Sequence, residues 1–172
     1  LHAIIPLSDL GLAADSTIGL SAFQEGQSNG WSVDWIESTE VTLTDQPDPA
    51  SVADPADMGD PNGDIRRISE RLEGDVLHVP MKVTGAPTPT NDEMADVDSN
   101  RYYYHWILDT DNDPATGFSN SEYEGNPTNL QNPIGVDLVV QIGWRNEATD
   151  GIYAYSPLTE ETITENFVWG RA

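Results

Sequence analysis

The sequence predicts an all-β protein that folds as an antiparallel β-sandwich of the jelly-roll or immunoglobulin-like type. Apolar and polar residues alternate with a period of two throughout the chain, whereas helical periodicity is hard to find. At least eight alternating segments are separated by clusters of Gly, Pro, Asn and Asp, which is typical of a sandwich. Five Trp and six Tyr supply core residues that a disordered acidic chain would lack.

The expected strands are short and are bounded by turn residues. In chain order they cover residues 1–7, 17–23, 40–43, 76–83, 102–108, 136–144, 152–155 and 162–169. The clearest is 76–83, in which Leu77, Val79, Met81 and Val83 share one face. Pro80 has no N–H to donate to a neighbouring strand, so it predicts an edge strand or a bulge.

Three segments are expected along the chain. Residues 1–45 carry the closing strands of a sandwich, 46–64 form an acidic linker or entrance loop, and 65–172 form the main body. Six Asp and four Pro fall between positions 45 and 64, a composition that keeps a segment extended and solvated. A second irregular stretch, 85–100, is expected to be a long surface loop.

The charge balance limits the partners that the protein can have. Seven Lys and Arg stand against 30 Asp and Glu, which gives a formal net charge of −23. The clustered cations that bind phosphate are missing, so we expect no nucleic acid as a partner. No apolar stretch approaches the roughly 20 residues that span a bilayer, so we expect no membrane insertion. An acidic, lysine-poor surface favours an extracellular or cell-surface location.

The sequence predicts that the protein is not an enzyme and has no catalytic residues. It has no cysteine and no serine elbow, phosphate-binding loop or zinc-protease motif. His2, His78 and His105 are scattered over three expected strands without a paired spacing. Two acids facing each other across a cleft could hydrolyse glycosides, but the acids of this chain crowd into turns.

The most informative motif follows the strand at 102–108. Asp109, Asp111 and Asp113 alternate in a tight turn, where their side chains can converge on one point. At about 4 Å each pair of carboxylates would repel by roughly 1–4 kcal/mol, so a bound cation is expected. Hard oxygen ligands favour Ca²⁺, and Asp137 at the start of the next strong strand is the expected fourth ligand. Glu122 and Glu124 are alternatives to Asp137, and a solvated turn without an ion is the alternative to the site.

This turn differs from an EF-hand loop. Pro114 stands at the sixth position, where the sharp turn of an EF-hand requires glycine, and Asn120 stands where a bidentate Glu would be. No flanking helices are apparent. The turn therefore predicts a β-turn calcium site. A second metal ion is expected in the acidic segment, with Asp54, Asp57, Asp60 and Asp64 as candidate ligands.

The aromatic run at 102–106 has two interpretations. On a strand, Tyr102, Tyr104 and Trp106 share one face, and Tyr103 and His105 lie on the other. If the first face is exposed, it offers a platform on which sugar rings stack. If it is buried, the same side chains fill the sandwich interior. The sequence alone does not distinguish the two.

Several sequence motifs of the chain resemble those of a known group of β-sandwich domains. They are the entrance at 54–65, the strand pair at 64–79, the turn Asp109-Thr110-Asp111-Asn112-Asp113-Pro114-Ala115-Thr116-Gly117, and the strand start Gly135-Val136-Asp137. Together they resemble family 9 carbohydrate-binding modules and DOMON domains over about two-thirds of the chain. The resemblance implies a calcium-binding β-sandwich, secretion and often sugar binding.

The order of these motifs along the chain differs from their order in family 9 carbohydrate-binding modules and DOMON domains. The motifs that usually close such a domain correspond to residues 5–11, 18–23 and 34–36, which here precede the opening strands. A circular permutation, a cut through a tandem repeat, or strand exchange with a neighbouring subunit would each explain the order. We therefore expect a non-catalytic structural repeat or filament subunit that joins copies of itself head to tail by strand completion. The alternative is a carbohydrate-binding module that binds polysaccharide.

Overall fold

In the computed structural model, the described residues are 1–27, 31–45, 50–85, 101–145, 148–155, 162–164 and 168–170. They form two antiparallel sheets of six strands each and two small two-stranded sheets. The predicted all-β sandwich is confirmed. The one described helix is a short 3-10 turn at Leu7–Leu10, and no helix in the described part of the chain is long and apolar enough to cross a membrane.

The strands are numbered in chain order. They are β1 (His2–Pro6), β2 (Thr17–Gln27), β3 (Trp31–Thr42), β4 (Ser51–Ala53), β5 (Ile65–Ser69), β6 (Arg71–Glu73), β7 (Val76–Val83), β8 (Arg101–Asp109), β9 (Phe118–Ser119), β10 (Glu122–Tyr123), β11 (Asn126–Pro127), β12 (Gly135–Val136), β13 (Leu138–Arg145), β14 (Ala148–Tyr155), β15 (Thr162–Thr164) and β16 (Val168–Gly170).

The first sheet has the order β16-β1-β7-β5-β4, with β6 also paired to β7, and the second has the order β15-β14-β13-β8-β2-β3. Their inner faces bury one apolar core, to which both sheets contribute. The alternation at 76–83 places Leu77, Val79, Met81 and Val83 in this core. Trp106 and Tyr104 of β8 are its largest fully buried side chains.

Residues 1–45 supply three strands of this same sandwich. β1 pairs with β7 along its whole length, from His2 opposite Pro80 to Pro6 opposite Val76. β2 lies between β3 and β8 in the second sheet. Both pairings join the first 45 residues to the segment 65–172 of the same chain.

Two differences from the expected strands have a clear physical reason. β3 begins at Trp31 instead of position 40, because the polar residues along it obscured the alternation that buries Asp34, Ile36 and Ser38. β7 is an internal strand, although Pro80 predicted an edge or a bulge. Pro80 is tolerated because it lies opposite the break between β5, whose pairing with β7 ends at Ile68, and β6, whose pairing begins at Arg71.

Candidate metal sites

The first acidic group consists of Asp109, Asp111 and Asp137, each of which offers a carboxylate oxygen within 4.8 Å of the others. Asp109 ends β8, and Asp137 immediately precedes β13, which pairs with β8 from Leu138 opposite Leu108. The N–H of Asp137 also donates to the carbonyl of Leu108 at 2.9 Å. Because the two strands are neighbours, their adjoining ends bring the two acids together.

Hydrogen bonds from the surrounding backbone hold these three carboxylates in place. Asp137 Oδ2 accepts from the N–H and the hydroxyl of Thr110, at 2.8 and 2.9 Å. The N–H of Asp113 donates to Asp109 Oδ1 and to Asp111 Oδ1, at 3.2 and 3.0 Å. Thr116 fixes Asp111 through its hydroxyl at 3.0 Å. These hydrogen bonds fix the orientation of the three carboxylate groups.

Glycine makes this close approach of the turn to β12 feasible. A Cβ atom on Gly135 would lie 2.1 Å from the carbonyl oxygen of Thr116, far inside van der Waals contact. The N–H of Gly135 donates to Asp109 Oδ2 at 3.3 Å. Gly117 has φ +67° and would also collide with β12 if it carried a side chain.

Asp113 was expected among the ligands, but the structure places its carboxylate outside the first acidic group. Its Oδ1 accepts from the N–H of Ala115 at 3.0 Å and so caps the turn. Its backbone N–H is what orients Asp109 and Asp111. Glu122 and Glu124 also lie outside the group. Three of the four expected ligands, including Asp137, are therefore together.

The electrostatics of the first acidic group favour a cation. Burial raises the pKa of Asp109, and the neighbouring Asp111 and Asp137 raise it further, against the lowering effect of the Gly135 and Asp113 hydrogen bonds. Among the described residues, no ion pair joins this group to an Arg or Lys. Arg101 and Arg145 lie at the opposite end of the β8–β13 pair, about 25 Å along the strands.

The second acidic group consists of Asp34, Asp54 and Asp57, whose ligand atoms again lie within 4.8 Å of one another. Asp34 is on β3 of the second sheet, whereas Asp54 directly follows β4 of the first sheet. Burial raises the pKa of Asp34 to about 7, with further contributions from Asp54, Asp57 and Asp64. Burial and Asp57 raise the pKa of Asp54 to about 6.

Two of the four acids expected in this region have other roles. Asp64 is buried and accepts from the backbone N–H groups of Asp57 and Met58, at 3.2 and 3.3 Å, and from the hydroxyl of Thr84. Burial alone would raise the pKa of Asp64, but these hydrogen bonds outweigh it and the pKa is lowered. Asp60 accepts from the hydroxyl of Tyr102 and from the N–H of Asn62. Both acids order the loop instead of joining the second acidic group.

Asp34 was missed by sequence reasoning. It is 20 positions before Asp54 and lies in no acidic run, so only the pairing of strands and the packing of the sheets bring it close. One signal was available: a charged residue on the inward face of β3, two positions before Ile36, needs a partner when it is buried.

The expected sugar platform is buried. Tyr102 is 2% exposed, and Tyr104 and Trp106 are fully buried in the core. The Tyr102 hydroxyl donates to Asp60, and the Tyr104 hydroxyl donates to the carbonyl oxygen of Asn62. These three side chains therefore fill the interior, which is the second of the two interpretations of the aromatic run.

A different set of aromatic side chains lies on the outer face of the second sheet, where Trp35 and Tyr123 are half-buried and Phe23 and His105 are buried. Phe23 stacks on His105 and on Trp35, with ring centroids 4.0 and 4.4 Å apart. Trp35 and Tyr123 line a groove of about 370 Å³, together with Val33, Glu124, Asn126, Pro127, Thr128 and Asn129. The groove therefore combines two half-buried rings with amide and carboxylate side chains.

Comparison with known proteins identifies no relative. No family model matches the chain, and no curated protein or solved structure matches it. The resemblance to family 9 carbohydrate-binding modules and DOMON domains stays a prediction. The fold and the two acidic groups, either of which could hold a metal ion, are therefore the basis on which function is argued.

Proposed function

We propose that this chain is a non-catalytic, calcium-stabilised β-sandwich module of a secreted or cell-surface protein. The first acidic group is the observation that carries the proposal. Asp109, Asp111 and Asp137 come from a strand end, a turn and a strand start, and their ligand oxygens lie within 4.8 Å. An ion bound there would hold together β8, the turn that follows it, and the start of β13.

Calcium suits this group better than other metal ions do. The ligands are carboxylate oxygens, which favour hard cations over zinc or copper. Ca²⁺ takes six to eight oxygens in flexible geometry, so waters and backbone carbonyls can complete the shell around three carboxylates. Mg²⁺ demands near-ideal octahedral geometry and retains more of its waters. Extracellular modules bind calcium with dissociation constants of roughly 10⁻⁴–10⁻³ M, and such weak binding fits a partly exposed turn.

A structural ion also supports the non-catalytic assignment. A general acid must hold a proton at the working pH, whereas carboxylates that ligate a divalent cation are kept ionised. In the first acidic group these carboxylates are further occupied by hydrogen bonds from Thr110, Asp113 and Thr116. Their arrangement serves binding and orientation of the turn.

Calcium binding is tested by removing one ligand at a time. In isothermal titration of the metal-free chain at physiological salt, Asp111→Asn is expected to lose one calcium ion. Asp111 is exposed, so the variant is expected to fold. Asp75→Asn is the matched control, because it removes one exposed carboxylate from the turn before β7, away from both acidic groups. Equal calcium binding by Asp111→Asn and Asp75→Asn would contradict the proposal.

Carbohydrate binding is a second candidate function, and the groove at Trp35 is the observation that favours it. A sugar ring can stack on the indole while Asn126 and Asn129 bond to its hydroxyls. Trp35→Ala is expected to abolish the change in Trp fluorescence that soluble polysaccharides cause in the wild-type protein. Phe118→Ala is the control, since Phe118 is an exposed aromatic residue, 43% accessible, outside the groove lining. No response of the wild-type protein to a polysaccharide panel would contradict this candidate.

Assembly with copies of the chain or with adjacent repeats stays a prediction. β1 and β2 are paired with β7 and β8 of their own chain. Head-to-tail strand completion would therefore require these strands to leave their own sheets and enter those of a neighbour. A tandem array of self-contained sandwiches does not require that exchange.

A further inference from the structure

We propose that the second acidic group binds a hard divalent cation that links the two sheets, with Gln24 holding a water molecule of its hydration shell. Asp34 belongs to the second sheet through β3, and Asp54 and Asp57 follow β4 of the first sheet. An ion between them joins the two layers. The first acidic group, by contrast, joins neighbouring strands of one sheet. This inference extends the proposed calcium-stabilised module but depends on different residues.

Gln24 is the independent observation that points to a bound species. Its side chain is fully buried, and neither its amide nitrogen nor its amide oxygen has a hydrogen-bond partner in the protein. A buried amide without partners is destabilising, because it has given up its hydrogen bonds to water and gained none in return. A water molecule bound to an ion would satisfy the amide oxygen, because its oxygen binds the ion and its hydrogens remain free to donate.

The side chain of Gln24 lies beside Asp34 of the second acidic group, on the same face of the second sheet. Gln24 lies directly opposite Asp34 in the β2–β3 register, so the two side chains project from the same face. Its Oε1 lies against Gly63, where an added Cβ would be only 2.6 Å away. Two residues beyond Gly63, the N–H of Ile65 donates to Asp34 Oδ2 at 2.6 Å. Gln24 and Asp34 therefore face the same loop.

A second unpartnered atom belongs to the group itself. Asp54 Oδ2 is buried and has no hydrogen-bond partner. Among the described residues, the ion pair recorded in this region is that of Arg66, whose Nη1 lies 3.9 Å from Asp64 Oδ2. The single positive charge of Arg66 stands against Asp64 and the three carboxylates of the second acidic group. If all four carboxylates are ionised, a net charge of −3 remains. A divalent cation removes most of this charge and gives Asp54 Oδ2 a partner.

The test is calcium titration of the metal-free full chain, with variants that address the two groups separately. Asp57→Asn is expected to bind one ion fewer than the wild-type protein and to retain the ion at the first acidic group. Asp57 is exposed, so its replacement is expected to leave the fold intact. Gln24→Leu is expected to weaken the same ion by roughly 10- to 100-fold, the usual effect of losing an outer-shell partner. Asp75→Asn is the charge-matched control.

The two proposals fail in distinguishable ways. If Asp57→Asn binds as many ions as the wild-type protein, at the same affinity, the proposal of an inter-sheet site is overturned. The proposal of the first site is then unaffected. A wild-type stoichiometry of one ion that Asp111→Asn removes would have the same effect. Loss of an ion in Asp57→Asn but not in Asp111→Asn would support the inter-sheet site and contradict the proposed function of the first group.

Discussion

A chelator added to the calcium-loaded protein is expected to lower the free energy of unfolding by about 5 kcal/mol. Each ion that binds only the folded state adds about 2.7 kcal/mol when free calcium is a hundred times its dissociation constant. The two acidic groups lie on different elements, so their contributions are expected to add. For a chain of this length, the change corresponds to a fall in Tm of roughly 10–20 °C.

The double variant Asp111→Asn/Asp57→Asn is the control for this experiment. It lacks one ligand of each group, so its Tm is expected to be the same with calcium and with chelator. Ionic strength is held constant with NaCl, because a chain of net charge −23 is also stabilised by screening alone. A wild-type Tm that the chelator leaves unchanged would contradict a stabilising role for calcium.

Trp106→Ala is expected to lower the free energy of unfolding by about 3–5 kcal/mol, as large-to-small replacements of buried aromatic residues do. Trp106 is fully buried between the sheets, in a core that includes Ala22 and Val140 on the strands beside it. Truncation would leave a cavity that flanking β-strands, fixed by their hydrogen bonds, can fill only in part. Urea unfolding, monitored by far-UV circular dichroism, measures the change.

Two variants control the Trp106 experiment. Trp106→Phe is expected to lower the free energy of unfolding by less than Trp106→Ala does. It keeps a six-membered aromatic ring in the core and removes the unpaired indole N–H. Phe118→Ala is expected to change stability by no more than about 0.5 kcal/mol, because Phe118 is exposed. A loss below about 1 kcal/mol for Trp106→Ala would show that this side chain is not part of a packed interior.

Period-two patterning predicts most strands, but it does not say which face is buried where both faces carry aromatic residues. β8 is the example: Tyr102, Tyr104 and Trp106 face the core, while His105 on the other face is also covered, by Phe23. Because both faces of β8 are covered, apolar and polar residues do not alternate clearly along it. For this reason the sequence left both interpretations of the aromatic run open, and the burial of Tyr102, Tyr104 and Trp106 favours the interior.

The candidate site was predictable where its residues are close in sequence or lie at strand ends. Asp109 and Asp111 are two positions apart, and Asp137 immediately precedes the strand that pairs with β8. Asp34 is different, since it reaches Asp54 only after two sheets have packed. The roles of Asp60 and Asp64 depend on hydrogen bonds from Tyr102 and Thr84, which are about 40 and 20 positions away. A run of acids therefore predicts an acidic region and not its ligand set.

The most direct test is an anomalous-difference map from crystals grown in millimolar calcium. We expect a peak about 2.3–2.6 Å from carboxylate oxygens of Asp109, Asp111 and Asp137, the distances that Ca²⁺ takes in proteins. A map without a peak there, in crystals whose turn has the three carboxylates directed apart into solvent, would contradict the proposal that calcium stabilises this sandwich.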